Sequence, residues 1–138
     1  MFGAHPAVLA GAPKVYQLEY TSQNDHLIRP EVNTEAKEFI VFATARQPTE
    51  SATTELANAW SKVVEKARAD EPSTLMYGLV RNKEDATQIG TIEAYTDQAA
   101  FDTHCKSQEV ADMVAKNQEV GGKLDFTVLR LVTGWLSR

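Results

Sequence analysis

The chain has 138 residues, 43% hydrophobic and 24% charged, with 14 Lys and Arg against 19 Asp and Glu for a formal charge of −5. These proportions describe one globular domain able to bury its own core, and the acidic balance argues against a nucleic-acid surface, which needs clustered Lys and Arg. No run approaches the ~18 apolar residues of a membrane span, and the single cysteine, Cys105, excludes an internal disulfide or a cysteine-rich zinc site. A lone cysteine suits a reducing compartment. The opening residues carry no basic stretch before Ala7–Ala12, and Pro6 and Pro13 interrupt them. No signal peptide is expected, and the cytoplasm is the expected location.

Residues 1–35 read as an N-terminal arm, loose over 1–13, with one extra strand where Tyr16, Leu18 and Tyr20 alternate onto one face. Thr21 to Glu38 is polar, and Arg29-Pro30 disfavours helix there, so this stretch reads as a linker or wrapping arm. Residues 36–138 form the main domain. Phe39 to Ala45 is a short β-rich run closed by Gln47-Pro48. Thr49 or Ser51 can cap the following helix, in which Leu56, Trp60, Val63, Val64 and Ala67 make one apolar face before Glu71-Pro72 ends it.

Thr74 to Arg81 is the next strand, with Leu75, Tyr77 and Leu79 on one face and Met76, Gly78 and Val80 on the other. A polar loop, Asn82 to Thr87, leads to a returning strand, Gln88 to Tyr95. Asp97 caps a short helix through Phe101 and His104, and Ser107 starts a second piece with Val110, Met113 and Val114 inward. Gly121-Gly122 stops it, and Leu124 to Val132 is the last strand.

The order β-α-β-β-α-β predicts an α+β, ferredoxin-like split βαβ fold, an antiparallel sheet with helices on one face. Both strand faces carry apolar residues, and the helices cover only one. A second copy of the sheet is the simplest cover for the other, so a homodimer is expected. Fold alone does not choose a function. The basic-aromatic signature of an RNA-recognition strand is missing, no glycine-rich phosphate loop is present, and His5, His26 and His104 lack zinc spacing.

Two segments narrow the choice. Ala69-Asp70-Glu71-Pro72-Ser73-Thr74-Leu75-Met76-Tyr77-Gly78-Leu79-Val80-Arg81 resembles the helix-to-strand stretch of antibiotic biosynthesis monooxygenase domains, where a Glu-Pro-Gly turn leads into a strand bearing a tyrosine. Here Ser73 stands in place of the turn glycine. Ile92-Glu93-Ala94-Tyr95-Thr96-Asp97, followed by Phe101, His104 and Ser107, is similar to that family's strand-to-helix segment. The resemblance spans about Glu38 to Thr133, and residues 1–35 have no counterpart in the minimal domain. It implies a dimeric α+β barrel with a pocket between sheet and helices for an aromatic or quinol-like molecule.

Relatives include monooxygenases acting on anthrones and quinols without metal or prosthetic group, haem-degrading enzymes, and an isomerase of a phosphorylated autoinducer. Met113 falls where the haem-degrading branch places an axial histidine, which speaks against that branch. The Glu-Ala-Tyr and following His keep an isomerase or lyase open, as well as a non-catalytic dimer binding a small metabolite.

His104 is the first candidate catalytic residue, since the unperturbed pKa of a histidine lies near working pH; the alternative is a histidine tying its helix to a strand. Glu93 shares a face with Thr91 and Tyr95, and could accept a substrate proton or pair with Arg81 or Arg130. Tyr77 and Tyr95 could orient a substrate oxygen or serve as core aromatics, and Trp60 could wall the pocket or simply fill the core. Thr44 and Arg81 are further candidates for substrate contact, with Arg46 at the rim. Cys105 reads as a small buried side chain. The expected ligand is a small aromatic or quinol-like molecule, with no nucleic acid, membrane or cofactor.

Overall fold

The computed structural model describes residues 16–32 and 39–129. Its elements in chain order are β1 (Leu18–Tyr20), β2 (His26–Ile28), β3 (Phe39–Arg46), α1 (Glu50–Asp70), β4 (Thr74–Asn82), β5 (Gln88–Tyr95), α2 (Gln98–Cys105), α3 (Gln108–Glu119) and β6 (Lys123–Leu129). The strands form one antiparallel sheet in the order β1-β4-β5-β3-β6, with β2 also on β4. Strands β3 to β6 with their helices reproduce the expected ferredoxin-like arrangement. The two short strands of the arm lengthen the sheet at the outer edge of β4.

The helices begin where side-chain oxygens meet orphan backbone N–H groups. Thr49 accepts from the N–H of Ala52, Asp97 from Ala100 and Ser107 from Val110. At the other end of α3, Gly121 takes φ +77°, a left-handed conformation that costs glycine little and stops the helix as expected. Leu56, Trp60, Val63, Val64 and Ala67 of α1 then pack against Tyr77, Leu79, Ala43, Ala45 and Ile89 of the sheet, with Met113 of α3 completing the core. Burial of this stripe is the main apolar contribution to the fold, at roughly 1.5–3 kcal/mol per large side chain.

Pairing across β3, β4 and β5 places Val41, Glu93, Tyr77, Tyr95 and Thr91 on the helix side. Phe42, Thr44, Ile92, Gly78 and Val80 point the other way. That other face stays open over Leu18, Tyr20, Ile28, Ile92 and Leu129, all exposed. A smaller cluster of Val32, Ile40, Leu75, Met76 and Ala94 is buried near one end of the sheet.

The stretch from Thr21, expected to be a linker, instead carries β2. Its backbone pairs His26 with Gly78 and Ile28 with Met76, and the N–H of Arg29 donates to the Leu75 carbonyl at 2.8 Å. An edge strand of three residues needs only backbone partners, so its side chains need no alternating pattern. The expected loose segment 1–13, the end of the linker at 33–38 and the end of the last strand lie outside the described residues.

Candidate active site

The helix-side face of β4 and β5 brings four of the candidate residues together. Tyr77 lies directly opposite Glu93 in the β4–β5 register, and Glu93 alternates with Thr91 and Tyr95 along β5. Helix α2 lays His104 over them, with its ring centroid 5.2 Å from Tyr77 and 5.4 Å from Tyr95. His104 and Glu93 are each only 4% exposed. Trp60 reaches in from α1 and donates its indole N–H to the Tyr77 hydroxyl at 2.8 Å. Trp60 is buried in the core, and from there it holds a candidate site tyrosine.

Glu93 pairs with neither Arg81 nor any other cation of the described residues. Thr91 donates its hydroxyl to Oε1, and Tyr95 donates to Oε2 at 2.7 Å. Burial pushes the Glu93 carboxyl above its ordinary range, against the opposing pull of these hydroxyls and of His104. Burial likewise raises the Tyr77 and Tyr95 phenols, and the nearby Glu93 charge adds to it. Both tyrosines therefore stay protonated through the neutral range and serve as hydrogen-bonding groups.

The partner of His104 is Glu71, at the turn before β4. Nδ1 of His104 lies 2.7 Å from Glu71 Oε2, and the same oxygen accepts the Thr74 hydroxyl at 2.8 Å. Burial alone would raise this carboxyl, but the His104 hydrogen bond and charge, with Thr74, outweigh it and hold Glu71 below its usual value. An ionised carboxylate can only accept, so His104 donates from Nδ1, the tautomer that in a neutral imidazole leaves the lone pair on Nε2. Sequence reasoning placed Glu71 in a motif and gave it no role. It stands 33 positions from His104, and only the Glu-Pro turn marked it.

An open cavity of about 370 Å³ reaches this pair, lined by Glu71, Thr74, Thr96, Asp97, Thr103 and His104 among others. That volume lies within the usual range for small-molecule sites. On the other flank, Phe101 of α2 stands 5.3 Å from the rings of both Tyr95 and Phe39 and 6.0 Å from Phe126. Phe126 is 63% exposed. The cluster is therefore bordered by an aromatic apron as well as by a polar cavity.

Four residues singled out in the sequence lie outside this cluster. Thr44 lies on the opposite face of the sheet, in a separate cavity of about 250 Å³ with Tyr16, Phe42 and Thr127. Arg81 shares the strand face of Tyr77 but sits near the end of β4, where it bonds Glu19 at 2.8 Å in the exposed zone. Arg46 likewise pairs with Asp85 at 2.9 Å at the surface. Cys105 is exposed instead of buried, because it turns about 100° away from His104 on α2. Desolvation and the charges of Glu93, Asp102 and Glu71 push its thiol up to about 11, which leaves little thiolate for nucleophilic chemistry.

Among the described residues, no group of three or more His, Cys, Asp or Glu side chains is disposed to hold a metal. None of the described helices is long and apolar enough to cross a membrane.

A comparison with curated proteins returns no match. Solved structures share the fold at low identity. A point mutant of SnoaB, a cofactor-independent oxygenase from Streptomyces nogalater, is 13% identical with TM-score 0.61, covering 74% of this chain and all of its own. Rv0793 from Mycobacterium tuberculosis is 20% identical with TM-score 0.60, covering 70% of this chain and 97% of its own. A protein described as an antibiotic biosynthesis monooxygenase is 23% identical with TM-score 0.59, over 68% of this chain and 99% of that one. The sequence itself matches the antibiotic biosynthesis monooxygenase family over residues 39–116, more than half of the chain, from the first residue of β3 into α3. The chain belongs to the antibiotic biosynthesis monooxygenase family.

Proposed function

We propose that this protein is a monooxygenase that oxidises a neutral, hydroxylated aromatic such as an anthrone or quinol, without a metal or prosthetic group. The observation that carries this reading is a buried histidine with an ionised carboxylate on Nδ1, lining an open cavity beside an aromatic cluster. In this reading Nε2 of His104 takes a proton from the electron-rich ring system, and Glu71 stabilises the imidazolium that forms. The substrate anion passes one electron to dioxygen, and the two radicals combine to a hydroperoxide on carbon. Loss of water then leaves a carbonyl. For an anthrone methylene, CH2 and O2 become C=O and H2O, so atoms and electrons balance. Tyr95 and Tyr77, buried against the imidazole, hold the His104 ring in place, and the aromatic apron excludes water from the anion.

The cavity wall also weighs on the isomerase alternative. Asp70, Glu71 and Asp97 line it, and its described lining holds no Lys or Arg. A phosphate dianion would meet repulsion there instead of the charge-assisted hydrogen bonds it needs. A neutral hydroxylated ligand finds hydroxyl partners in Thr74, Thr96 and Thr103.

The active form in this proposal is a homodimer. The open sheet face exposes Leu18, Tyr20, Ile28, Ile92 and Leu129 together, which is the kind of apolar patch that a second copy covers. Light scattering should report a dimer, and Ile92→Lys should shift it toward monomer; a wild-type monomer at tens of micromolar would refute this part.

Oxygen uptake by metal-free protein with a panel of anthrones and quinols tests the activity. His104→Ala should lower catalysed uptake by roughly 10²–10⁴-fold. Equal uptake by variant and wild type would remove His104 from the chemistry. Absence of uptake across the panel, with tight binding of the same compounds, would turn the reading to a metabolite-binding dimer.

A further inference from the structure

The match to the family begins at residue 39, so the arm carrying β1 and β2 lies outside it. Besides the pairing of β1 and β2 with β4, one side chain ties the arm to the domain at several points. The guanidinium of Arg29, just after β2, donates to four main-chain carbonyls: Nε to Thr74 at 2.9 Å, and Nη2 to Ala67 at 3.1 Å and to Arg68 and Glu71 at 3.3 Å. These are the carbonyls at the C-terminal end of α1 and in the turn that follows. The last four carbonyls of a helix have no partner within it, and the helix dipole places negative potential there. A planar fork with five N–H donors can serve several of them at once, which a lysine ammonium with three cannot do in the same geometry.

The attachment is reciprocal. Arg68, on α1, donates to the carbonyls of Asn24 and His26 in the arm, the second at 3.0 Å. The turn itself is tied on its far side by the Thr96 N–H, which donates to the Ser73 carbonyl at 3.0 Å. Two of the four carbonyls held by Arg29 belong to Glu71 and Thr74, the residues whose side chains meet at Glu71 Oε2 with His104 Nδ1.

We propose that Arg29 is a positioning residue for the His104–Glu71 pair. By holding the backbone of Glu71 and Thr74, it sets the carboxylate that keeps the His104 proton on Nδ1, and it makes the arm a working part of the site. Arg29 touches neither His104 nor the cavity lining with its own side chain other than through the main chain of the turn. A plain helix-end clamp would contribute stability and nothing more. A positioning residue also changes the state of the histidine, and this difference can be measured.

The proposal rests on the reading of His104 as proton acceptor, but its test needs no substrate. Nitrogen and proton NMR of the histidine ring, with carbon NMR of the glutamate carboxyls, would be recorded on the full chain as wild type, Arg29→Gln and Arg29→Lys. Wild type should show a hydrogen-bonded His104 Nδ1–H signal and a Glu71 carboxyl that titrates below its ordinary range. Arg29→Gln should lose the Nδ1–H signal, and its Glu71 midpoint should move up. Arg29→Lys should restore part of both.

A folded Arg29→Gln that melts earlier but keeps both signals at their wild-type positions would overturn the proposal and leave Arg29 as a clamp. Should Arg29→Gln fail to fold, Arg29→Lys decides alone: a weakened Nδ1–H signal supports positioning, and an unchanged one refutes it. Failure of the oxygenase reading would show in oxygen uptake, while failure of this one would show in these spectra.

Discussion

Glu71 and Glu93 serve the same histidine–tyrosine cluster, one from the turn before β4 and the other from the middle of β5. Glu93 is enclosed on all sides and bonded only by neutral hydroxyls, so burial dominates and raises its carboxyl. Glu71 sits at the edge of a cavity, its side chain 14% exposed, and it meets an imidazole that can carry charge. Its carboxyl is lowered. Two identical side chains are thus shifted in opposite directions, because the direct His104 hydrogen bond with Thr74 outweighs burial at Glu71, while burial outweighs the hydroxyls and the more distant His104 at Glu93. The cluster gains a proton acceptor oriented at one end and a hydrogen-bonded anchor at the other.

The largest effect on this contrast should come from the turn. Glu71→Gln removes the negative charge from Nδ1 while keeping the shape, and turnover should fall by up to about 10⁴-fold, as when the carboxylate behind a general-base histidine becomes an amide. The loss should lie in kcat with KM little changed, because the carboxylate is engaged by His104. Steady-state oxygen uptake reads this directly, and an unchanged kcat would break the distinction between the two carboxylates.

Next in size is the anchor. Tyr77→Phe leaves the buried indole N–H of Trp60 without its acceptor, at a cost of about 1–3 kcal/mol in urea unfolding. An unchanged midpoint would mean that the buried network contributes no net stability. Asp97→Ala removes the cap of α2, the helix that carries His104, and should cost about 1 kcal/mol in the same measurement.

How much of this was legible beforehand follows from the range of the interactions. The helices α1 to α3 were readable because capping and the 3.6-residue period are local: Thr49, Asp97 and Ser107 all act on N–H groups three residues away. The two-residue period of β5 likewise put Glu93 with Thr91 and Tyr95. Strand β2 was hidden, since three residues at an edge leave no pattern. The side of the sheet taken by Thr44 was also hidden, because both faces of β3 are apolar and periodicity does not say which one the helices cover. The pairing of Glu71 with His104 joins two elements that only the folded sheet brings together, and so does the hold of Arg29 on the same turn. Sequence reasoning named His104 and Glu93 as separate candidate proton acceptors and gave Glu71, the residue that meets His104 in the fold, no role.

The smallest effects are the most discriminating, since the two carboxylates should give pH dependences of opposite sign. Glu71 has a folded value below its ordinary 4.5, so its contribution to stability is present above that value and disappears as pH falls through the folded one. Glu93 has a folded value above 4.5, so its contribution is present below 4.5 and disappears as pH rises through the folded one. Glu71→Gln should therefore draw closer to wild type in stability as the solution is acidified. Glu93→Gln, which mimics the protonated acid, should match wild type most closely at low pH and gain on it as the solution is made more alkaline. Unfolding curves at a series of pH values would show two difference plots that slope in opposite directions; parallel plots would remove the contrast.

The most direct test of the central claim is a single titration of the wild-type protein, following the side-chain carboxyl carbons of Glu71 and Glu93 by NMR. The account predicts midpoints on either side of 4.5, with Glu71 below and Glu93 above. Midpoints on the same side, or in the reverse order, would contradict it.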